Sequence, residues 1–350
     1  MISIDRQPSA PHKSFENTAQ RDVSSEVAAV PACDPAAPLT FIVNAASGKN
    51  DSDQTRLEIE AELNAAGRLA VFVAARADEL PRIADEAASK AVAQRSAVIA
   101  VGGDGTINAV AHAAHARGAV MGVVPQGTFN YFARTHGLPS DAGEATRALL
   151  ACSPQPVQVG MVNNHVFLVN ASLGLYPELL EDREAYKARF GRSRWVALAS
   201  SVMTLLRSHR QLKLHIERTA GTREVTTPTL FVGNNRLQLE QIGLPEAAAI
   251  EQGNMAAVML RPIGTLAMLG LLFRGAMGSL GEADSVESFQ FKRIVVKPRS
   301  TSSKRTVKVA FDGEVSRMLP PLEFRVSDKP LYLLKRAVEA GQVALDGEKA

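Results

Sequence analysis

The five residues Gly102-Gly103-Asp104-Gly105-Thr106 have the composition of an anion-binding loop. Glycines let the backbone approach an anion closely, and amides at a helix N-terminus face it with a favourable dipole. A carboxylate so close to phosphate groups would be repelled unless a cation intervened, so Asp104 suggests a Mg²⁺ ligand. An ordinary tight turn that happens to contain an aspartate explains these five residues equally well.

The segments around this loop predict a strand, a glycine loop, a helix and a second strand. Apolar residues run unbroken over 97–101, an alanine-rich segment ends at Gly118, and a second apolar run covers 119–124. Neither run alternates, as expected of strands buried on both faces of a parallel sheet. The loop would then lie at the carboxyl edge of an open α/β sheet, where ligands bind. Thr106 is predicted to cap a helix that begins near Ile107.

A second strand-to-helix loop follows, with the sequence PQGTFNYFAR over residues 125–134. GGDGT followed by P-x-G-T-x-N-x-F-A-R closely resembles the diacylglycerol kinase catalytic-domain family, which includes bacterial lipid kinases and sphingosine and ceramide kinases. The resemblance covers about residues 39–336. It implies an α/β nucleotide-binding domain of the NAD kinase and diacylglycerol kinase type, then an antiparallel β-sandwich, with the active site between them. Strictly alternating runs such as LKLHI over 212–216 independently indicate the sandwich.

The resemblance implies ATP and Mg²⁺ as cofactors, with Asp104 as the metal ligand. After the first strand, the family's N-P-x-S-G phosphate loop is matched here except that Ala45 replaces the proline. The residues expected to contact the nucleotide are Asn44, Ser47, Gly48, Gly102, Gly103, Asp104, Gly105, Thr106, Ile107, Asn108, Gly127, Thr128 and Asn130.

The candidate catalytic residues lie in Asp312-Gly313-Glu314, directly after an alternating strand. Phosphoryl transfer needs positioning, charge neutralisation and a carboxylate that accepts the proton of the attacking hydroxyl. Asp-Gly between strands is also one of the commonest hairpin signals. The family carries D-G-E at this place, so the resemblance implies Glu314 as the base and Asp312 as its partner or substitute.

Two departures from the family pattern concern the second domain. The glycine cluster expected after the FVGNN segment, residues 231–235, is missing. Many members also carry an Asp-Asp-Gly whose second aspartate helps to bind a structural Mg²⁺ together with main-chain carbonyls. Gln252 stands in that position here, which puts the structural metal in doubt, although Glu251 is a candidate substitute.

A basic, amphipathic stretch runs from Ala185 to Lys213 without an acidic residue. Its positive charges and Trp195 suit an anionic membrane surface, whereas a helix that packs against the sandwich explains the same pattern. A second apolar stretch, Ile263 to Leu280, is marginal in length and contains Arg274, so it does not predict a transmembrane span.

The 350 residues allow two full domains, and we expect a disordered extension at 1–38, the α/β domain at 39–150, the β-rich lipid-substrate domain at 151–336 and a polar tail at 337–350. A net charge of +3 is too small to suggest nucleic acid, and two cysteines fit a reducing cytoplasm.

Together these features predict an enzyme of phospholipid metabolism, a transferase that moves the γ-phosphate of Mg-ATP to the hydroxyl of a diacylglycerol-like or sphingoid lipid. It would be cytoplasmic and peripherally attached to the inner face of the membrane, and a homodimer is left open. The alternatives are an NAD kinase-like small-molecule kinase, which shares GGDGT, and a catalytically silent regulator that binds nucleotide or lipid.

Overall fold

A computed structural model of the protein describes residues 30–44, 49–178, 180–181, 211–218, 221–262, 264, 267, 270–271, 274, 277, 279–299 and 306–337. Within these residues the strands form three six-stranded sheets. The first sheet is mainly parallel and the other two are antiparallel, so the predicted fold class is confirmed.

The first sheet carries the α/β domain. Its strands are β1 (Leu39–Asn44), β2 (Ala70–Ala75), β3 (Ala97–Gly102), β4 (Val120–Pro125), β5 (Ser153–Val157) and β18 (Leu331–Lys335). Their order is β2-β1-β3-β4-β18-β5, and only the β18–β5 pair is antiparallel. The helices are α1 (Lys49–Ala65), α2 (Leu80–Ala93), α3 (Asp104–Arg117), α4 (Tyr131–Thr135) and α5 (Ala142–Leu150). Every residue of β3 and β4 is buried, which explains the absence of alternation in their sequences.

The observed sheets do not respect the expected division at residue 150. Strand β5 continues the first sheet beyond that point, and β18 returns to it near the C-terminal end of the described chain. In the sheet β18 lies between β4 and β5, with Tyr332 opposite Val120 and Leu331 opposite Val157. The sandwich is therefore inserted between two neighbouring strands of the α/β domain.

The two antiparallel sheets pack face to face. One contains β6 (Gly160–Val162), β7 (His165–Phe167), β9 (Leu212–Arg218), β10 (Gly221–Thr227), β14 (Arg293–Pro298) and β17 (Leu322–Val326), in the order β10-β9-β14-β17-β6-β7. The other contains β8 (Asn170–Gly174), β11 (Thr229–Gly233), β12 (Met255–Leu260), β13 (Val286–Phe291), β15 (Val307–Phe311) and β16 (Glu314–Met318), in the order β13-β12-β11-β8-β15-β16. This domain also contains a short helix, α6 (Arg236–Gln241), and the 3-10 helices Pro245–Ala249 and Leu280–Glu282.

Alternation along the strands produces the sandwich core. On β9, Leu214 and Ile216 are buried between the sheets, while His215 between them points outward and is partly exposed. Lys213 also belongs to β9, so the basic stretch predicted as one helix ends in a strand, and its part from 185 to 210 lies outside the described residues.

The chain is ordered before β1, contrary to the expectation of a disordered extension up to residue 38. The Asp34 amide donates to the Arg95 carbonyl at 2.6 Å, and Ala37 is buried. These contacts attach residues 30–38 to the α/β domain, while residues 1–29 lie outside the described part.

Candidate active site

Three strand ends meet at one edge of the first sheet. Val43 of β1 pairs with Val101 of β3, and Gly102 pairs with Pro125 of β4, so the loops after these strands lie side by side. The amide of Gln126 donates to the Gly102 carbonyl at 2.9 Å and joins the second and third loops. Asn44 ends β1 at this edge, as predicted, whereas Ser47 and Gly48 lie outside the described residues.

Helix α3 begins at Asp104, three residues earlier than predicted. Gly103 is the N-cap residue in an extended conformation and supplies no side chain, so the assignment of Thr106 as the cap is wrong. Thr106 is instead buried in the first turn, where its Oγ1 would lie 2.7 Å from a Cβ placed on Gly102. The glycine at 102 makes room for this side chain. The amides of the first helical turn are left without a side-chain cap, as an anion site requires.

The second loop packs closely on the first. A Cβ on Gly127 would lie 2.6 Å from Asn130 Oδ1 and 3.0 Å from the Gly103 Cα, so a side chain at Gly127 would force its neighbours to shift. Asn130 has a left-handed backbone (φ 46°), and its side chain both accepts from the Gly127 amide (3.0 Å) and donates to the Gly127 carbonyl (2.7 Å). Asn130 therefore shapes the loop with its side chain, whereas Thr128 is exposed.

Asp104 has a buried carboxylate with an unused oxygen. Its Oδ1 is inaccessible to solvent and has no hydrogen-bond partner among the described residues. Burial raises the pKa of Asp104, and the backbone amides of Asn130, Tyr131 and Asp104 itself oppose that rise. A buried carboxylate oxygen without a donor is costly, so a cation bound at this position would relieve the cost.

Glu314 reaches the glycine loop from the second domain. A Cβ placed on Gly105 would lie 3.6 Å from Glu314 Oε1, and Glu314 itself is exposed. The Asp-Gly turn before it is the hairpin turn between β15 and β16, with φ of 47° at Asp312 and 90° at Gly313. The Asp312-Gly313 sequence is therefore both a hairpin turn and part of the candidate site, because the hairpin places the Glu314 carboxylate beside the glycine loop.

Asp312 is held by four donors. Its Oδ2 accepts from the Asn108 amide group (2.6 Å) and the Leu168 amide (2.6 Å), while its Oδ1 accepts from the amides of Val169 (2.8 Å) and Asn170 (3.0 Å). Burial nevertheless raises the pKa of Asp312 to about 6, since enclosure of the carboxylate outweighs these donors. Its carboxylate is enclosed even though the turn around it is partly exposed.

One face of α3 ties the two domains together. Asn108 Nδ2 also donates to the Val166 carbonyl at 3.2 Å, and His112 Nδ1 accepts from the Val166 amide at 3.3 Å. Four residues separate Asn108 from His112, so both side chains lie on one helix face. Burial lowers the pKa of His112, which favours the neutral ring that can accept this bond. Asn108, predicted to contact nucleotide, is thus placed against Asp312, and Ile107 is buried in the core.

Three residues of this region were not singled out from the sequence. Asn170 Oδ1 is buried and unpartnered among the described residues, directly beside Asp312. Asn234 donates from Nδ2 to the Leu168 carbonyl, and Gln158 donates to Asn234. The sequence signal that could have identified the two asparagines is a polar residue at the end of an apolar run, as in FVGNN and LVNAS.

The structural metal site implied by the family is not assembled in the described residues. Gln252 is exposed, and Glu251 forms an ion pair with Arg236, so the proposed substitution by Glu251 is not supported. In the described part of the chain no group of three or more His, Cys, Asp and Glu side chains is placed to hold a metal ion.

The comparisons with known proteins concern the first domain above all. Residues 38–162 match the diacylglycerol kinase catalytic domain. This segment of the chain is therefore similar to the catalytic domain of that family.

Its relatives are named as lipid kinases. A "Probable lipid kinase YegS-like" of Pseudomonas aeruginosa strain UCBPP-PA14 is 37% identical over 125 residues, which is 35% of this chain and 40% of that protein. The same name is carried by a Chromohalobacter salexigens protein, 28% identical over 70% of this chain and 77% of that protein. The chain thus matches less than half the length of the first of these relatives.

Solved structures show the same fold. A crystal structure of a diacylglycerol kinase from Bacillus anthracis strain Sterne superposes with a TM-score of 0.60 at 20% identity, covering 86% of this chain and 97% of that one. No helix among the described residues is both long and apolar enough to cross a membrane.

Proposed function

We propose that the protein is an ATP-dependent lipid kinase that phosphorylates the hydroxyl of a diacylglycerol-like or sphingoid lipid. The observation that carries this proposal is the approach of Glu314 to Gly105, which unites a carboxylate of the second domain with the phosphate loop of the first. A site for phosphate alone would not need that carboxylate.

The residues present fit the expected cofactors. The uncapped start of α3, with Gly102 and Gly103 before it, suits the phosphates of ATP. Asp104 Oδ1 suits Mg²⁺, because it is a hard oxygen ligand to which no described residue donates a hydrogen bond. When bound, Mg²⁺ neutralises charge on the phosphates during transfer.

Glu314 is the proposed base. Its carboxylate takes the proton of the lipid hydroxyl as that oxygen forms a bond to the γ-phosphorus, and the bond from phosphorus to the β-phosphate oxygen breaks to release ADP. Asp312 is the proposed partner, because its four hydrogen bonds hold the turn that carries Glu314. Asn170 Oδ1 is a further acceptor that could receive a hydroxyl of the substrate.

A cavity of about 360 Å³, lined by both apolar and polar groups, supports a substrate with an acyl chain. Its lining comes from both sheets of the sandwich and includes Leu173, Leu212, Leu214 and Val307, with Lys308 and Arg317 also contributing. Val307 starts β15 and Glu314 pairs with Phe311 at the other end of that strand, so the cavity and Glu314 are separated by about 13 Å along the strand. A lipid bound across that distance would place its head group near Glu314.

The test is direct. Purified protein is incubated with ATP labelled at the γ-phosphate and with extracted membrane lipids, and the labelled product is identified by chromatography. We expect label in a lipid, and no label with the Glu314→Gln variant. Label in NAD and none in lipid would favour the NAD kinase alternative, and no transfer to either acceptor would favour the silent regulator.

A further inference from the structure

The side chain of Gln158 joins three separate parts of the chain. Gln158 lies between β5 and β6, where the chain leaves the first sheet and enters the sandwich. Its Nε2 lies 2.8 Å from Asn234 Oδ1 and 3.1 Å from the backbone oxygen of Asn254. Asn234 follows β11, and Asn254 precedes β12. One amide group therefore holds two oxygen atoms that come from different loops.

The orientation of this amide is fixed by its neighbours. A backbone carbonyl such as that of Asn254 can only accept, so the Gln158 atom that faces it must be the nitrogen. Asn234 is fixed in the same way, because its Nδ2 donates to the Leu168 carbonyl at 3.1 Å and leaves Oδ1 toward Gln158. Reversing Gln158 would bring its oxygen against two other oxygens.

This donor set does not fit a cation. Two oxygens converge, but the third group between them is an NH₂ that donates hydrogen bonds, and a cation would need an oxygen in its place. The turn at residues 251–252 supplies no carboxylate to this position either. Residue 252 is an exposed glutamine, and the carboxylate of Glu251 forms an ion pair with Arg236. The arrangement thus disagrees with the structural Mg²⁺ that the family resemblance implies.

The same amide leads to the candidate active site. The Asn234 backbone amide donates to the Val169 carbonyl at 2.8 Å, and its side chain donates to the Leu168 carbonyl. The amides of Leu168 and Val169 in turn donate to Asp312. The segment 168–169 is therefore held on one side by Asn234 and on the other by the Asp312 carboxylate.

We propose that the Gln158 amide performs the bridging role of a structural metal ion in this protein. Gln158, Asn234 and Asn254 form a clasp, named here the amide clasp, that fixes segment 168–169 without a cation. Gln158 is then a positioning residue for Asp312. The clasp does not depend on the proposed kinase activity, because its first tests measure only metal content and thermal stability.

The first test compares melting temperatures without nucleotide, in EDTA and in millimolar Mg²⁺ or Ca²⁺, in an Asp104→Ala background so that the cation proposed at Asp104 does not contribute. We expect the Asp104→Ala protein to melt at the same temperature in all three and to retain no stoichiometric divalent cation by elemental analysis. Gln158→Ala should lower the melting temperature by roughly 2–6 °C, since it removes the donor from two partly buried acceptors. Gln155→Ala is the matched control, because the Gln155 amide donates only to Ser153 on the same strand.

The second test converts the clasp into a cation site. Gln158→Glu places a carboxylate against Asn234 Oδ1 and the Asn254 carbonyl, so that three oxygens converge. We expect this variant to melt below Gln158→Ala in EDTA and to regain stability when Mg²⁺ or Ca²⁺ is added. The comparison is made in the Asp104→Ala background, in which the protein with Gln158 intact should show no such response.

Two results would overturn the proposal: a melting temperature of the Asp104→Ala protein that falls in EDTA, or a Gln158→Glu variant in that background that cations do not stabilise. The kinetic test measures the acid limb of the kcat/KM profile of Gln158→Ala, which should move when Asp312 is less well held. A shifted melting temperature with an unshifted profile would overturn the positioning role, and absence of kinase activity would leave the clasp itself unaffected.

Discussion

Asp104 and Glu314 reach the same loop from different domains and have opposite environments. Asp104 has a buried oxygen without a partner in the described part of the chain, whereas Glu314 is exposed beside Gly105. A buried, unsatisfied carboxylate destabilises the fold unless a ligand completes it. An exposed carboxylate retains solvent access, so it can exchange the proton it takes. The two environments therefore suit a metal ligand and a base.

Asp104→Ala should reduce turnover by roughly 10³-fold or more, because it removes the only side-chain ligand proposed for the cation. Thermal stability should be equal or higher, since the unpaired buried oxygen disappears. Steady-state kinetics and a thermal melt check both expectations. Full turnover in a folded variant would refute the metal-ligand role.

Glu314→Gln should lower kcat by about 10² to 10⁴ and leave ATP affinity nearly unchanged, because the amide keeps the shape but cannot accept the proton. Single-turnover kinetics and nucleotide titration separate the two effects. Glu79→Gln serves as the control, since Glu79 is exposed at the start of α2 and makes no capping bond there. A parallel loss of ATP binding would indicate a displaced hairpin rather than a lost base.

At the scale of elements, α3 connects the phosphate loop to the sandwich. Its first residue is Asp104, its second turn places Asn108 on Asp312, and His112 accepts from β7. A movement of α3 would therefore change both carboxylate positions together. We therefore propose that this helix couples nucleotide binding to the acceptor site.

The pH profile tests this connection. Because the pKa of Asp312 is raised to about 6, its carboxylate is ionised above that pH and protonated below it. Protonation removes an acceptor from a site of four donors, so kcat/KM should fall as the pH decreases through about 6. Asn108→Ala removes a donor that favours the ionised form and should move this limb to higher pH. Arg117→Gln, at the far end of α3, should leave the limb unchanged; an unshifted limb in Asn108→Ala would contradict the assignment.

The sequence predicts the strands and loops better than it predicts which side chains they bring into contact. Buried runs such as 97–101 and glycine loops are local patterns, and both are where the sequence places them. Thr106 was assigned as a cap because capping residues are common at helix starts, but a helix start that binds anions leaves its amides open. The bond from Asn108 to Asp312 spans 204 residues, so no local pattern could reveal it.

At the scale of the whole molecule, access to lipid is the property that remains a proposal. The basic stretch that suggests membrane docking lies mostly outside the described residues. Replacing Arg189, Arg192 and Arg194 by Gln should weaken co-sedimentation with anionic vesicles, since each basic residue near such a surface contributes about 1 kcal/mol. Higher salt should weaken binding of the unmodified protein in the same assay.

The matched control removes the same charge from the sandwich. Arg293, Lys297 and Arg299 lie on or just after β14 and are paired with acidic residues, so their replacement by Gln should leave vesicle binding unchanged. Activity on a short-chain, water-soluble acceptor should survive both triple changes. If the variant with Arg189, Arg192 and Arg194 replaced binds vesicles as well as the unmodified protein does, the basic stretch is a structural helix and not a membrane-docking element.

The return of β18 to the first sheet determines when a newly made chain can fold. The strands that carry the glycine loops leave the ribosome early, yet the place between β4 and β5 stays vacant until residues 331–335 are synthesised. Until then β4 has an open edge that can pair with another chain. We therefore expect the nascent N-terminal half to depend on chaperones, and the nucleotide site, although encoded first, to be completed last.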